Sequence, residues 1–589
     1  MRICFIPIPY CLLILTFCLA GRSESQEADD RLRAFFESHL EETFQMRPFE
    51  ATLLGDHRFD HLLDDISVSA RAKWLAHSRK QLETLVKEFS QASFSADGKI
   101  DYQIFRDELL RNIWLAENTN PFEEDPRTYG NYISDSVYSL LTQSTLPKEA
   151  NIANAIARIK QIPRIVASAR ESLSRPPKPI LETSILQNRG AIGFYEKGIL
   201  ELAGTTPQIE QLKLASSIAV TELKKHQAFL EKDLLPTAKN HWRLGKEKFS
   251  RKIEMVLDVG WDADRVLAEA EQEFVRVQRD MYVVARQLWS RYFPNLPLPA
   301  DDDQGRRATI AKVTQAVGLE HGKPETLILD ARATVSSIQS FIRDKDILRL
   351  PELDRCQVIE MPEFRRGNSL AYLDSALPLD PKGSSFYAVS PPPSIWGEEK
   401  VRSFLEEYNR HMLQILTIHE AYPGHYVQLE YSNRCPSLIR RVLQSGVFIE
   451  GWAVYTEQMM LDQGYGNGDL ALRLNQLKFY LRAVANAILD HKMHCTEITD
   501  DQALTFLVNE AYQSEGEARL KIVRAKQSST QLSTYFVGRM AHYRLRQEIQ
   551  RELGEQFDLG RFHEAVLDHG SVPVKFLPDL VRKRLAQAR

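Results

Sequence analysis

Apolar residues recur at steps of three and four from about residue 29 to residue 350. Leu32, Phe36 and Leu40 show this spacing near the start, and the segment 274–284 shows it again. Such steps place apolar side chains on one face of an α-helix. The breaks between these segments are short, and no repeat of fixed period occurs. The pattern predicts a mainly α-helical body.

The pattern changes between Cys356 and Trp396. The runs 356–361 and 385–390 have the length and the residue types of short strands, and glycines and prolines separate them. From Glu398 onward the helical spacing returns. We therefore expect a mainly α protein in which a small β-sheet precedes the segment richest in chemically reactive residues.

That segment begins with a His-Glu pair on an apolar helix. An apolar stripe at helical spacing runs from Phe404 to Ile415, and His419 continues it four residues later. The stripe directs His419 and the adjacent Glu420 toward the interior. A buried pair of this kind is costly unless it is hydrogen-bonded or bound to a metal.

The next histidine, His425, follows at an unusual distance. In the H-E-x-x-H helix of zinc hydrolases, histidines four residues apart differ by about 40° around the helix and reach one ion. His425 comes six residues after His419, about 240° away on a straight helix, where the two could not share an ion. Pro423 and Gly424 lie between them and disfavour a continuous helix. The spacing thus fits a metal site only if the helix is broken here.

A third ligand is available downstream. Glu450 and Glu457 are seven residues apart, and their shared helical face includes Ala453 and Val454. This is an interior face that carries acids. Two histidines and one glutamate would leave the fourth position of a zinc ion to water, as in catalytic zinc sites.

These motifs carry a resemblance to a known family. H-E-x-x-P-G-H followed by E-G-W-A-x-Y-x-E resembles the domain of unknown function 885 family, a group of bacterial candidate zinc hydrolases. The second motif also resembles N-E-G-F-A-x-Y-x-E of the aminopeptidase N type of gluzincin. Further matching pieces are Arg482 with Asp490 and His494, the run 531–538, Phe562-His563, and the run 570–573.

The resemblance implies a gluzincin-like helical metallopeptidase body with a strand beside the active site. It implies Zn²⁺ as the cofactor, His419, His425 and Glu450 as its ligands, and Glu420 as the general base. Since the histidine spacing departs from that of the better-known gluzincins, His494 is an alternative to His425. The resemblance also suggests Tyr535 as the donor that stabilises the oxyanion, although a tyrosine in this apolar run could equally be core.

Other polar residues would support the ligands. Glu457 could orient a histidine ligand or form a buried ion pair. Asp490 lies four residues before His494, so the two could act together near the metal or simply pack within a helix. Arg482 is read more readily as an ion-pair partner of such acids than as a contact of the substrate.

The first twenty residues differ from the rest. Arg2 is their one charge, and an apolar run continues to Ala20. This order predicts a cleaved export signal, and hence a periplasmic or extracellular protein without a membrane span after cleavage. A lipoprotein signal at Cys18 is less favoured because bulky Phe17 precedes it. No C-x-x-C pair occurs, which argues against a cysteine-based zinc site.

The length and the charge of the chain narrow its possible partners and its division into regions. The 589 residues carry 75 basic and 79 acidic side chains, so nothing indicates a nucleic-acid partner. The predicted division is a signal peptide over 1–20, an N-terminal helical region over 21–355 that forms a cleft wall, and a catalytic zinc-binding region over 356–589. We expect the last two to form one continuous, two-lobed unit.

The predicted function is that of an exported zinc metallopeptidase that hydrolyses short peptides. One alternative is a zinc hydrolase of a non-peptide amide. Another is a non-catalytic exported protein that keeps the fold, but the intact Glu420 argues against it.

Overall fold

The computed structural model describes residues 24–361 and 370–587, so the predicted signal peptide over 1–20 lies outside the described residues. The described chain is mainly helical, with one three-stranded sheet. The helices up to the sheet are α1 (Glu24–Met46), α2 (Pro48–Leu54), α3 (Val68–Glu88), α4 (Ala96–Asn118), α5 (Pro121–Glu124), α6 (Arg127–Gly130), α7 (Ser136–Thr142), α8 (Lys148–Ile159), α9 (Ile162–Ser172), α10 (Lys178–Gly193), α11 (Ile199–Ala203), α12 (Ile209–Ala228), α13 (Lys246–Leu257), α14 (Ala263–Tyr292), α15 (Asp303–Gly318) and α16 (Leu327–Asp344).

The strands and the remaining helices follow. The strands are β1 (Cys356–Glu360), β2 (Ala371–Asp374) and β3 (Ser385–Val389), and the helices after them are α17 (Glu398–Glu407), α18 (Arg410–Glu420), α19 (His425–Asn433), α20 (Leu438–Val442), α21 (Gly446–Asp462), α22 (Leu470–Cys495), α23 (Asp500–Thr505), α24 (Glu515–Gln527), α25 (Thr534–Leu553), α26 (Leu559–Leu567) and α27 (Leu577–Gln587). The predicted mainly α fold with a small sheet is confirmed, and β2 is a strand that the residue pattern did not predict.

Among the described residues, β2 is an edge strand that pairs on one side alone. The strand order of the sheet is β1-β3-β2, with β1 parallel and β2 antiparallel to β3. The Ser390 N–H donates to the Leu370 carbonyl, so alternate residues from Leu370 face β3. Because backbone groups alternate sides along a strand, those of Ala371 and Leu373 face the other way. Tyr387 of β3 ties the sheet to α18 through a 2.9 Å hydrogen bond between its hydroxyl and that of Thr417.

Two hydrophobic cores hold the described chain together. The smaller core draws on helices between Phe49 and Leu234, whereas the larger joins α1, α4 and α13–α16 to the helices after the sheet. Residues on both sides of the predicted boundary at 355/356 therefore share one core. No helix among the described residues has both the length and the apolar character needed to cross a bilayer.

A glycine contact brings α21 and α25 unusually close. A Cβ on Gly451 would lie 2.4 Å from the Gly538 Cα, and a Cβ on Gly538 would lie 2.0 Å from the Val447 carbonyl oxygen. Only residues without a side chain allow this approach. The crossing sets Glu450, the neighbour of Gly451, close to the start of α25.

Candidate metal centre

Helix α18 carries His419 and Glu420 at its last two positions. Asn409 caps the start of the helix, because its side chain accepts hydrogen bonds from the backbone N–H groups of His411 and Met412 at 3.0 and 3.1 Å. Most of the helix is buried, and His419 is only 6% exposed. The inward orientation inferred from the apolar stripe is therefore observed.

The chain departs from helical geometry over residues 421–424, between α18 and α19, and the Tyr422–Pro423 peptide bond is cis. The Gly424 N–H donates to the Ile418 carbonyl at 3.0 Å. This hydrogen bond spans six residues, whereas an α-helical bond spans four. Two residues are thus looped out, and the chain resumes its helical path as if they were absent.

His425 consequently lies where a residue four positions after His419 would lie on an unbroken helix. Gly424 is required at the break, because a Cβ there would lie 1.9 Å from the His419 carbonyl oxygen. The Trp452 indole N–H donates to the Pro423 carbonyl at 2.9 Å and holds the loop against α21. The predicted break in the helix is present at the predicted residues.

The break brings His419 and His425 together with Glu450 of α21. Glu450 Oε2 lies 3.8 Å from His419 Nε2 and 3.5 Å from His425 Nε2, and one donor atom from each residue lies within 4.8 Å of the others. Two tetrahedral zinc ligands with metal bonds of about 2.0–2.1 Å are about 3.3 Å apart. The separations are therefore close to those of a zinc ligand set.

The hydrogen bonding of these atoms also fits a cation. Glu450 Oε2 is buried and has no hydrogen-bond partner among the described residues. A buried polar atom without a partner is costly. Two imidazole nitrogens and a carboxylate oxygen form the donor set of a catalytic zinc site with three protein ligands. His419, His425 and Glu450 could together hold a divalent ion.

Glu457 fixes the orientation of His419. The His419 Nδ1 and the Glu457 Oε1 are 2.7 Å apart, and both side chains are buried. A carboxylate at Nδ1 favours the tautomer whose Nε2 lone pair points into the cluster. Burial, together with nearby His425, lowers the pKa of His419 to about 3, which keeps its ring in the neutral form that binds metals.

Glu420 lies between the cluster and the open edge of β2. The Leu373 backbone N–H donates to its carboxylate, and the negative charge of Glu450 is nearby. Burial raises the pKa of Glu420 to about 7, and Glu450 contributes to the shift. A carboxylate with a pKa near neutrality can both accept and return a proton.

A cavity of about 150 Å³ opens beside these residues. His419 and Glu420 lie on one side of it, Leu370 and Ala371 of the sheet region line it, and Tyr535 contributes from α25. Its other lining residues include Tyr408, Phe479, Arg482, Asn486, Lys521 and Arg524. The described part of the region 21–355, predicted to form the cleft wall, does not line this cavity. It contacts the loop after α18, where the Tyr422 hydroxyl donates to Asp354 at 2.6 Å.

Tyr535 lies in this cavity. Its hydroxyl is 3.2 Å from the Arg524 guanidinium and 3.2 Å from the Gln531 amide. Burial raises the pKa of Tyr535, and the charge of Glu450 adds to the effect. The hydroxyl therefore remains protonated near neutral pH and can donate a hydrogen bond.

Asp490 and His494 do not join the cluster, which corrects the suggestion that they orient or replace a ligand. His494 Nε2 lies 3.0 Å from the carbonyls of both Ala525 and Ser528, and its ring stacks on Phe249 at 5.4 Å. His425, not His494, is the histidine that lies beside His419.

Asp490 instead shapes the turn that leads to Tyr535. Its carboxylate accepts the backbone N–H of Thr530 at 3.1 Å and both the N–H and the hydroxyl of Ser533, at 3.2 and 2.7 Å. Thr530 has a left-handed backbone with φ 70°, which few residues other than glycine adopt. Asp490 therefore holds the segment before α25 directly, and it does so away from the cluster of His419, His425 and Glu450.

Sequence reasoning missed two of the cations in the cavity. Lys521 and Arg524 lie three residues apart on α24, and no motif distinguished them from the other basic residues of that helix. Arg482 forms an ion pair, but with Glu517 and not with the acids for which it was expected, and it also lines the cavity. Only the packing of α22 against α24 brings these residues together.

The fold and site thus define a mainly helical protein with a buried His-His-Glu cluster at an interrupted helix. The chain belongs to the family described as bacterial protein of unknown function (DUF885), whose model matches residues 48–581. None of the curated proteins compared with the chain matches it.

Two solved structures are similar over nearly the whole chain. One is a "putative lipoprotein of unknown function" from Shewanella oneidensis, with 30% identity, a TM-score of 0.78 and coverage of 95% of this chain and 100% of that chain. The other is a protein also described as a lipoprotein, from Colwellia psychrerythraea, with 18% identity, a TM-score of 0.78 and coverage of 95% and 99%. The similarity to the Colwellia psychrerythraea protein, at 18% identity, is evidence for the fold alone.

Proposed function

We propose that this protein is an exported, gluzincin-like zinc metallopeptidase that hydrolyses short peptides. The observation that carries the proposal is the convergence of His419, His425 and Glu450 at zinc-ligand separations, with Glu420 beside them. A buried group of two histidines and a glutamate next to a carboxylate of raised pKa is typical of an active site.

The protein residues would act around the ion as follows. Zn²⁺ held by the three ligands would supply Lewis-acid chemistry, polarising a carbonyl and lowering the pKa of water to about 7. Glu420 would take a proton from the attacking water and pass it to the leaving amine. Tyr535 would donate a hydrogen bond to the oxygen that gains negative charge.

The open edge of β2 supports a peptide substrate over other amides. Ala371 lines the cavity, and its backbone groups face away from β3. An extended peptide could pair with this edge through main-chain hydrogen bonds, which recognise a peptide regardless of its side chains. The small volume of the cavity favours short peptides over folded proteins.

The location is proposed on two grounds. The order of a basic start, an apolar run and small residues over 1–20 is typical of an export signal. The 30% identical structure from Shewanella oneidensis is described as a "putative lipoprotein of unknown function", and lipoproteins are exported proteins. We propose that the enzyme acts outside the cytoplasm.

The decisive experiment replaces the general base and retains the ligands. Glu420→Gln should bind one equivalent of zinc like the wild type and lose at least about 10²-fold in kcat, because the proton acceptor is absent. Metal analysis and digestion of a peptide library measure the two quantities. Glu430→Gln is the matched control, because Glu430 is a buried acid of α19 that pairs with Arg434 and lies outside the cluster. Full activity of Glu420→Gln would refute the mechanism.

A further inference from the structure

Basic and acidic side chains both line the cavity beside the cluster of His419, His425 and Glu450. The basic residues are Arg482, Lys521 and Arg524, the acids that line the cavity are Glu420 and Glu457, and Glu517 pairs with two of the basic residues. The Glu517 carboxylate forms a close pair with Arg482, whereas the Lys521 Nζ lies 3.9 Å from the same carboxylate oxygen. Arg482 and Lys521 therefore share one carboxylate, whereas Arg524 donates to the uncharged side chains of Gln531 and Tyr535.

Lys521 is the least satisfied of the three. It is only 4% exposed, and its distance to Glu517 exceeds that of a hydrogen bond. Burial, reinforced by Arg482 and Arg524, lowers its pKa well below the usual range. A buried ammonium without a close counter-charge is costly, and an anion entering the cavity would remove that cost.

The cations lie close to the reacting groups. The ring of Phe479 meets that of His419 edge to face at 5.9 Å, and Arg482 follows Phe479 by three residues on the same helix. At the other side, Arg524 contacts the Tyr535 hydroxyl. The positive charge is therefore in the cavity that His419 and Glu420 themselves line.

The size of the cavity limits the length of substrate that can lie on the C-terminal side of the cleaved bond. A volume of about 150 Å³ resembles that of engineered cavities that hold a molecule of the size of benzene. This space suits one terminal residue better than a continuing chain.

We infer that the cavity binds the C-terminal carboxylate of the substrate at Lys521, aided by Arg482 and Arg524, so that the enzyme releases the last residue of a peptide. The inference rests on the proposed function. Water is added across one amide bond, giving a new carboxyl group on the shortened peptide and a free amino acid as the amine product. A free terminal carboxylate lies close to that bond only when the bond is the last one in the chain.

The test uses the zinc-loaded protein and tetrapeptides of mixed sequence in three forms: the free acid, the C-terminal amide, and the amide with glutamate as last residue. We expect release of the last residue from the free acids, with kcat/KM about 10- to 100-fold above that for the plain amides, since one charge-assisted contact is lost. Lys521→Met should remove most of this preference by raising KM for the acids.

Lys526→Met is the matched control, because Lys526 lies on the same helix and pairs with Asp500 at 2.6 Å, outside the cavity lining. It should keep the wild-type preference. If Lys521→Met does not fold, the comparison of acids and amides on the wild type decides alone.

Three outcomes would contradict the inference. Equal cleavage of acids and amides at internal bonds would overturn it while the peptidase activity stands. Cleavage of the glutamate amides as fast as the free acids, with the same dependence on Lys521, would overturn the C-terminal assignment in favour of a side-chain carboxylate. Absence of cleavage by zinc-loaded wild type across all peptides would overturn the proposed function itself.

Discussion

His419 and His494 are each the penultimate residue of a buried helix, α18 and α22 respectively, and both lie near acids. After α18, a two-residue loop returns the chain toward His419 and presents His425, while α21 supplies Glu450. After α22, the segment around Ser528 presents backbone carbonyls, which lie at hydrogen-bond distance from His494 Nε2.

The difference lies in which atoms remain without a partner. In the cluster, Glu450 Oε2 is buried without a hydrogen-bond partner among the described residues. It lies 3.8 Å from His419 Nε2 and 3.5 Å from His425 Nε2, and a cation between these atoms would satisfy it. At His494 the groups that face Nε2 are carbonyls, which a ring N–H satisfies directly, and the atom left without a partner among the described residues is Nδ1, on the other side of the ring. A buried histidine near an acid is therefore informative only once its neighbours are known.

The largest difference between the two regions is expected when one histidine is removed from each. His425→Ala should abolish stoichiometric zinc binding and lower kcat/KM by at least about 10³-fold, because two ligands rarely hold a catalytic zinc ion. His494→Ala should retain zinc and lose only stability, as it removes contacts to backbone and to Phe249. Metal analysis and peptide hydrolysis compare the two. Zinc loss in His494→Ala with retention in His425→Ala would reverse the ligand assignment.

The loop between α18 and α19 offers a second test. Gly424→Ala should lower the free energy of unfolding by about 3 kcal/mol, because the added Cβ would overlap the backbone oxygen of His419, and it should weaken zinc binding by displacing His425. Gly516→Ala is the control, because it lies in the first turn of α24 and a Cβ there meets nothing within 4 Å. Denaturant unfolding measures both. Equal stabilities would show that the looped-out geometry is not required.

We expect Asp490, the acid near His494, to make the free energy of unfolding depend on pH without changing zinc binding. Burial raises the pKa of Asp490 to about 6 from an ordinary value of 3.8. Between these values the folded state keeps a proton that the unfolded state has lost, so this contribution to stability is complete below about pH 4 and is lost as the pH rises to about 6. The expected loss is about 2–3 kcal/mol.

Unfolding of the wild type and of Asp490→Asn at a series of pH values isolates the contribution of Asp490 to stability, since the asparagine side chain does not titrate. The difference in unfolding free energy should shift in favour of the variant as the pH rises from 4 to 6 and stay constant above that. A shift of the opposite sign would mean that hydrogen bonds from Ser533 and Thr530 outweigh burial.

Much of the site could be predicted from local patterns. The apolar stripe before His419 defined its inward face, and Pro423-Gly424 marked the place where the helix breaks. The spacing of Glu450 and Glu457 placed both acids on one face of a helix. The pairing of Glu457 with His419 was one of two open possibilities, because helical spacing does not indicate the neighbouring helix.

The sequence by itself determined the helical character, the small sheet, the inward His-Glu pair and the requirement for a helix break, since each depends on residues within a few positions of one another. Only the tertiary structure decided that His425 joins His419, that His494 does not, and that Lys521, Arg482 and Arg524 share one cavity. These outcomes depend on contacts between helices distant in sequence, such as the glycine crossing of α21 and α25 and the packing of α22 against α24. Local periodicity specifies which face of a helix is buried, but the chain's packing specifies what that face meets.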